Sequence, residues 1–285
     1  RNMGNLRASA RYLKKAIRLG EGKLKDKAQQ QLIDMALNDR DDERLRSIVD
    51  NVTESVRGQG SVKTRYALGK ALIRLERYQE ALTTLAKLRE HPVLGNKSRY
   101  YWATAQTALS RFDDAMAQFR TLSELEGADA QEVRELSMLA MGRIRMEQGD
   151  LEGSIATYQM IPRNSPQFEI GLYEMSWAYI KGEQYDRALA TIDTLLLIVN
   201  DPQLDVEAHG LRGRLNIYLN QYDKAVTSFE KIVGRFAPIR NELMAFVAQE
   251  GNVNRYFEWL LDRRASENDL DAPLTERTAA WVESA

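Results

Sequence analysis

Tyr185-Asp186-Arg187-Ala188-Leu189-Ala190-Thr191-Ile192-Asp193-Thr194-Leu195 sets an aromatic ring, a small residue and two large apolar residues at helical spacing. That spacing puts Tyr185, Ala188, Ile192 and Leu195 on one stripe of an α-helix. The same frame returns at Tyr78/Ala81/Leu85/Leu88, Phe112/Ala115/Phe119/Leu122, Leu151/Ser154/Tyr158/Ile161 and Tyr222/Ala225/Phe229/Ile232. Its small anchors lie 34, 39, 34 and 37 residues apart, close to the period of a helix-turn-helix repeat of about 34 residues. One such unit cannot bury its apolar face alone, so the repetition predicts an all-α solenoid in which each unit packs on its neighbours. An array of this kind builds a binding surface and carries no chemistry of its own.

The composition agrees with helix. Hydrophobic residues make up 44% and charged residues 28% of 285, mean hydropathy is negative and there are six prolines among many Ala, Leu, Arg and Glu, which disfavours a β-rich fold. A formal net charge of -1 and a pI near 6.3 leave no overall field to attract nucleic acid or an anionic membrane. The charge is uneven, however. Arg1, Arg7, Arg11, Lys14, Lys15, Arg18, Lys23, Lys25 and Lys27 face only Glu21 and Asp26, whereas Glu267, Asp269, Asp271, Glu276 and Glu283 face Arg277 near the other end. This reads as a solvated helix face and a polar cap, with partner docking at the basic end as the alternative.

No cysteine is present, so disulfides, zinc-thiolate sites and thiol catalysis are excluded within this sequence. No run of about 18 apolar residues occurs, the longest being Leu195 to Val199. The chain starts at Arg1 and is expected to be an excised segment from which any signal peptide or anchor has been removed.

Along the chain, residues 1–61 read as an N-terminal helical cap or a degenerate repeat of three helices. Leu6, Leu13 and Ile17 mark the first helix, ended by Gly20/Gly22; Leu24, Ala28, Leu32, Met35 and Ala36 mark the second; Leu45, Ile48, Val49, Val52 and Val56 mark the third, closed by Gly58 and Gly60. Extending the frame backwards puts Ser47 at the small position, with Asn51 and Glu54 where large apolar residues belong. Residues 62–239 read as five repeats. Each first helix carries a small residue, at Gly69, Ala103, Gly142, Ser176 and Gly213, where a partner helix must approach closely. Breakers are expected to end the repeats at His91-Pro92, Gly127, Pro162 and Pro166, Asp201-Pro202 and Pro238. Residues 240–285 read as a C-terminal cap: Leu243, Phe246, Val247, Tyr256, Phe257, Leu260 and Leu261 on helix broken near Gly251-Asn252, a polar linker from Ala265 to Pro273, and a last short helix with Trp281.

Over Val62 to Ile239 the chain resembles the tetratricopeptide repeat family. The likeness rests on Leu68-Gly69, Tyr179, Tyr185-Asp-Arg-Ala188, Tyr222-Asp-Lys-Ala225 and Phe229. Ser154 for the small anchor, Ser176 for the glycine and displaced terminal prolines depart from the pattern. A looser resemblance, through Leu172 to Tyr179, Arg235-Phe-Ala-Pro238 and Asn254 to Glu258, is to envelope tetratricopeptide proteins of gliding and predatory deltaproteobacteria. The resemblance implies a right-handed superhelix and a non-enzymatic scaffold for a protein or peptide partner, in a bacterial periplasm or envelope assembly for motility or secretion.

Motifs for chemistry are missing. His91 and His209 stand far apart with no ligand arrangement around either, and no Walker loop, dinucleotide fingerprint, HExxH or nucleophile elbow occurs. Asp39, Asp41, Asp42 and Glu43 lack the Gly and terminal Glu of a calcium loop and read as a helix N-cap. Asn51-Val52-Thr53 matches a glycosylation sequon by accident, on a helix. No cofactor, metal, small-molecule substrate or enzyme activity is expected. What remains is the inward face of the first helices, where the architecture implied by the resemblance puts Lys63, Tyr66, Lys70, Arg74, Tyr100, Tyr101, Thr104, Arg143, Tyr173, Trp177, Arg214 and Tyr218. Aromatic rings and arginine dominate protein interfaces because they bury large area with little rotamer loss, and the same rings also serve as filling between first helices. Some members of the family clamp a C-terminal carboxylate with Lys and Asn on successive first helices; Tyr66 and Tyr101 occupy two of those positions here, so the clamp is not carried over. A second class, a regulatory adaptor contacting an acidic or nucleic-acid partner through the basic N-terminal helices, differs by its steep salt dependence.

Overall fold

The small residues are where helices meet. A computed structural model describes residues 3–38, 41–248 and 274–284, and among the described residues the chain is helical with no β-strand. It is an all-α solenoid of helix-turn-helix repeats that divides into two compact units, Arg1–Pro162 and Arg163–Ala285. The first unit holds α1 (Met3–Leu19), α2 (Gly22–Asn38), α3 (Asp42–Gln59), α4 (Val62–Arg74), α5 (Tyr78–Ala86), α6 (Gly95–Ala108), α7 (Phe112–Ser123), α8 (Gln131–Glu147) and α9 (Leu151–Gln159). The second holds α10 (Phe168–Lys181), α11 (Tyr185–Leu195), α12 (Pro202–Tyr218), α13 (Tyr222–Val247) and α14 (Glu276–Ser284).

Within each repeat the second helix lays its apolar stripe on the glycine or small residue of the first. A Cβ on Gly69 would stand 2.4 Å from Leu85 Cδ2, and one on Gly142 would stand 2.5 Å from Tyr158 Cε1. Ala81, Ala115, Ser154 and Ala188 are fully buried and Ala225 nearly so, because their side chains sit where two backbones approach. Ser154 is tolerated as an anchor because its hydroxyl donates to the Gly142 carbonyl at 2.8 Å, which satisfies the polar group it buries.

The turn between the two helices of every repeat is the same turn. Glu76, Ser110, Gly149, Glu183 and Asn220 adopt left-handed φ values of 60, 57, 82, 56 and 57°, and they follow one another at 34, 39, 34 and 37 residues, the intervals of the small anchors. The residue after each donates its N–H back five positions: Arg77 to Leu72, Arg111 to Gln106, Asp150 to Arg145, Gln184 to Tyr179 and Gln221 to Asn216. This is the hydrogen-bond pattern of a Schellman C-cap, which satisfies carbonyls the helix end leaves open.

Breakers act as expected at most repeat ends. Pro92 and Gly127 lie in turns, and Asp201 caps α12 by accepting from the N–H groups of Gln203 and Leu204, with Pro202 as first helical residue. His91 Nδ1 accepts from the N–H groups of Val93 and Leu94. Pro238 is a correction: it lies inside α13, which continues from Tyr222 to Val247. The proline withholds a donor from the Gly234 carbonyl, yet residues beyond it have a tertiary partner. Leu243 and Phe246 pack against Leu274 and Ala279, the Phe236 ring meets Trp281 at 5.1 Å, and the Arg277 guanidinium donates to the Arg235 carbonyl. Packing thus overrides the local break.

The N-terminal frame also needs correction. Ser47 is exposed, and the buried positions of α3 are Leu45, Ile48, Val49, Val52 and Val56. Leu45, Ile48 and Val52 stand 33 residues before Tyr78, Ala81 and Leu85, and fully buried Ala36 stands 33 before Gly69. α2 packs on α3 and on α4, and α3 on α4, as α4 does on α5 and α6. Asp41 caps α3 by accepting from Arg44 N–H at 2.9 Å. Asp39, Tyr256, Phe257, Leu260, Leu261, the break at Gly251-Asn252 and the linker Ala265 to Pro273 lie outside the described residues.

Candidate interaction surface

In the first unit, two consecutive first helices and the second helix α7 bring four rings together. Tyr66 on α4 meets Tyr101 on α6 edge-to-face at 5.8 Å, Tyr101 meets Tyr100 at 5.4 Å, and Tyr100 meets Phe119 of α7 at 5.6 Å. Neighbouring residues on a helix diverge by about 100°, so Tyr101 turns to α4 while Tyr100 turns to the core beneath α7. Tyr100, itself half-buried, therefore rests against the core beneath α7, and Tyr66 and Tyr101 line the junction of two first helices. Both are half-buried, and burial is the main reason their phenol pKa values rise, with Glu132 adding to it. Each stays a neutral hydroxyl able to give and take a hydrogen bond.

Charges border these rings. The Lys70 ammonium lies 5.2 Å from the centre of the Tyr66 ring and 3.8 Å from Asp34 of α2. Lys97 pairs with Glu132 at 2.7 Å. Arg74, expected on the inward face, is engaged elsewhere: it donates to Asp42 at 2.7 Å and to the Leu37 carbonyl at 2.8 Å, tying α4 to the α2–α3 turn. Lys63 and Arg143 are exposed, and Thr104 is half-buried with its hydroxyl donating to the Tyr100 carbonyl.

The second unit has its own cluster. Tyr173 and Trp177, one turn apart on α10, meet edge-to-face at 6.3 Å, and the Arg214 guanidinium from α12 lies 5.7 Å from the Trp177 ring. Arg214 is exposed and both rings are half-buried. Tyr218 departs from this group: it stacks flat on Tyr185 at 4.9 Å, at the start of α11. Burial raises the Tyr173 phenol, with Glu207 hydrogen-bonded to it.

The sequence reading missed Asp34, Glu132 and Glu207. A usable signal existed for two of them, since Asp34 and Lys70, and Lys97 and Glu132, are opposite charges about one repeat period apart. Such pairs fall side by side on successive first helices. Among the described residues no group of three or more His, Asp or Glu could hold a metal ion. No described helix is long and apolar enough to cross a membrane. The rings and cations offer stacking, cation–π and hydrogen-bond contacts, the means of holding a polypeptide.

Tetratricopeptide repeat profiles match residues 66–130, 136–167 and 206–236. No curated protein matches the chain. A tetratricopeptide repeat protein of Parabacteroides merdae is similar in structure, with TM-score 0.58 at 15% identity, covering 93% of this chain and 94% of its own. The C-terminal part of a repeat protein of Cytophaga hutchinsonii has TM-score 0.53 at 12% identity, covering 90% and 93%. At these identities the likeness concerns the fold.

Proposed function

Because this chain belongs to the tetratricopeptide repeat family, whose members are in general non-catalytic scaffolds for protein–protein interaction, we propose that it grips an extended or helical segment of a protein partner along its first helices. The observation that supports this is the pairing of half-buried rings with cations across neighbouring first helices, Tyr66 and Tyr101 with Lys70 in one unit and Trp177 and Tyr173 with Arg214 in the other. Rings held in place by one another lose little freedom on binding, and a stacked arginine presents its donors to a passing backbone. On this reading residues 62–239 form five repeats and residues 240–285 the closing cap. The α2–α3 pair, which packs as α4–α5 does, is a degenerate repeat.

The setting we infer is a bacterial envelope assembly, of the motility or secretion kind, through the short motifs around Trp177, Pro238 and Tyr256. The competing reading is a regulatory adaptor whose basic N-terminal helices contact an acidic or nucleic-acid partner. A peptide selected on the immobilised chain from a random display library discriminates them. Hydrogen exchange of the complex is expected to show new protection on α4 and α6, or on α10 and α12, and protection confined to α1 and α2 would overturn the groove reading.

A further inference from the structure

The hairpin turn that joins α1 to α2 combines features the groove reading does not use. Arg18-Leu19-Gly20-Glu21-Gly22-Lys23-Leu24-Lys25 places two leucines on either side of the turn, and both are open to solvent, Leu19 at 66% and Leu24 at 62%. Tyr12, two turns before Leu19 on the same side of α1, is 75% exposed. Elsewhere on α1, Leu13 and Ile17 pack against the core. Among the described residues Leu19, Leu24 and Tyr12 are not packed against that core, and exposing large apolar side chains together is costly unless something covers them.

Cations surround them. Arg11, Lys15 and Arg18 share a face of α1 through their spacing of four and three, and all three are exposed. Glu21 is the one carboxylate within the quoted turn. Behind the turn opens a cavity of about 290 Å³ lined by Lys23, Lys25, Asp26, Gln29, Ser55 and Ser61. Its carboxylate is engaged: Asp26 accepts from the Ser61 N–H at 2.8 Å. Gln29 donates to Ser55 at 3.1 Å. The two lysine ammonium groups at the rim suit a phosphate-sized anion.

We propose that this turn docks on an anionic phospholipid surface, with Leu19 and Leu24 entering the interface, Arg11, Lys15 and Arg18 beside the headgroups, and one headgroup phosphate in the cavity behind Lys23 and Lys25. Charge complementarity alone would also fit a nucleic acid or an acidic protein. The leucines decide for lipid: a bilayer places hydrocarbon immediately beneath its phosphates, which is the order in which the turn presents leucine and cation, whereas a nucleic-acid backbone gives aliphatic side chains no partner. The inference goes beyond the groove reading, concerns other residues and does not depend on it.

Flotation of the whole chain with vesicles tests it. Binding is expected to phosphatidylcholine vesicles containing phosphatidylglycerol and not to phosphatidylcholine alone. The double variants Lys23→Glu/Lys25→Glu and Leu19→Ser/Leu24→Ser are each expected to weaken it at least about tenfold. These side chains are at the surface, and an unchanged melting temperature checks that folding is intact. Inorganic phosphate and a short duplex DNA serve as separate probes. No binding to the anionic vesicles overturns the proposal, as does DNA binding of equal strength that the leucine variant leaves unchanged. Competition by inorganic phosphate without vesicle binding would assign the cavity to a free anion and likewise overturn it.

Discussion

Gly213 lies directly beneath the ring of Phe229: a Cβ added there would stand 2.5 Å from Cζ. Three residues earlier on the same helix, a Cβ on Gly210 would meet nothing within 4 Å. The two glycines therefore answer the same substitution in opposite ways. Gly213→Ala pushes a ring out of its place and is expected to cost about 1–3 kcal/mol. Gly210→Ala removes the entropy penalty of glycine in a helix and is expected to gain about 0.5–1 kcal/mol. Urea unfolding of the two variants checks this, and a shift of the same sign for both would show that helix propensity, not packing, governs α12.

The repeated left-handed turn gives a second test. An L-residue in that conformation costs about 1–2 kcal/mol relative to the right-handed helix, and glycine escapes this cost at an entropic loss of about 0.5–1 kcal/mol. Ser110→Gly and Glu183→Gly are therefore expected to raise the melting temperature, and Gly149→Ala to lower it. Asn220→Gly should change less, because asparagine tolerates the left-handed region. Equal effects at all four positions would contradict the conformational account.

That turn also marks where the sequence was legible and where it was not. The stripe Tyr185/Ala188/Ile192/Leu195 and its copies disclosed the repeat because burial of one helix face leaves a periodic imprint. The left-handed residues stand at the same period but left no imprint, since Glu76, Ser110 and Glu183 carry none of the usual glycine signal and are held by backbone hydrogen bonds alone. Pro238 misled for the converse reason. Its local signal is strong, while the contacts of Leu243, Phe246 and Phe236 that keep α13 helical are distant in sequence. For the candidate surface, residue type suggested Tyr66, Tyr101 and Trp177, but only the structure shows that Tyr100 rests on Phe119 while Tyr66 and Tyr101 meet across two first helices, and that Arg74 is tied to Asp42.

His209 predicts a pH dependence in the second unit. Burial is the first cause of its lowered pKa; Asp205 at 3.7 Å opposes the shift, while Arg212, Lys231 and Arg235 reinforce it. The unfolded imidazole, with its ordinary value of 6.5, thus binds a proton more readily than the folded one. Its contribution is unfavourable to folding only once the unfolded form charges: stability holds above 6.5 and declines as pH falls from there toward the folded pKa. Glu80, Glu242 and Asp26 have lowered values, so their stabilisation is complete above the ordinary carboxylate value and is lost as pH falls through it toward their own. The protection of α12 amides, measured as exchange relative to the intrinsic rate at each pH, is expected to fall between about pH 7 and pH 5 in the natural chain and not in His209→Gln. An identical profile in the variant would remove His209 from the account.

Binding energy in the groove reading should concentrate in few residues. Tyr101 is locked between Tyr66 and Tyr100, and Trp177 between Tyr173 and Arg214, so each offers a ring already fixed in place. Truncating such an anchor at an interface costs on the order of 2 kcal/mol. With a display-selected peptide, either Tyr101→Ala or Trp177→Ala is therefore expected to weaken binding by about that amount, depending on which unit the peptide occupies. Lys25→Ala, at the α1–α2 turn, should leave peptide affinity nearly unchanged. Each variant is first compared by melting temperature, because Tyr101 also packs against the core of the first unit. Titration calorimetry at two salt concentrations completes the test. If Lys25→Ala costs most and affinity falls steeply with salt, the peptide is held by the basic end, and the aromatic pairs are only the joints between first helices.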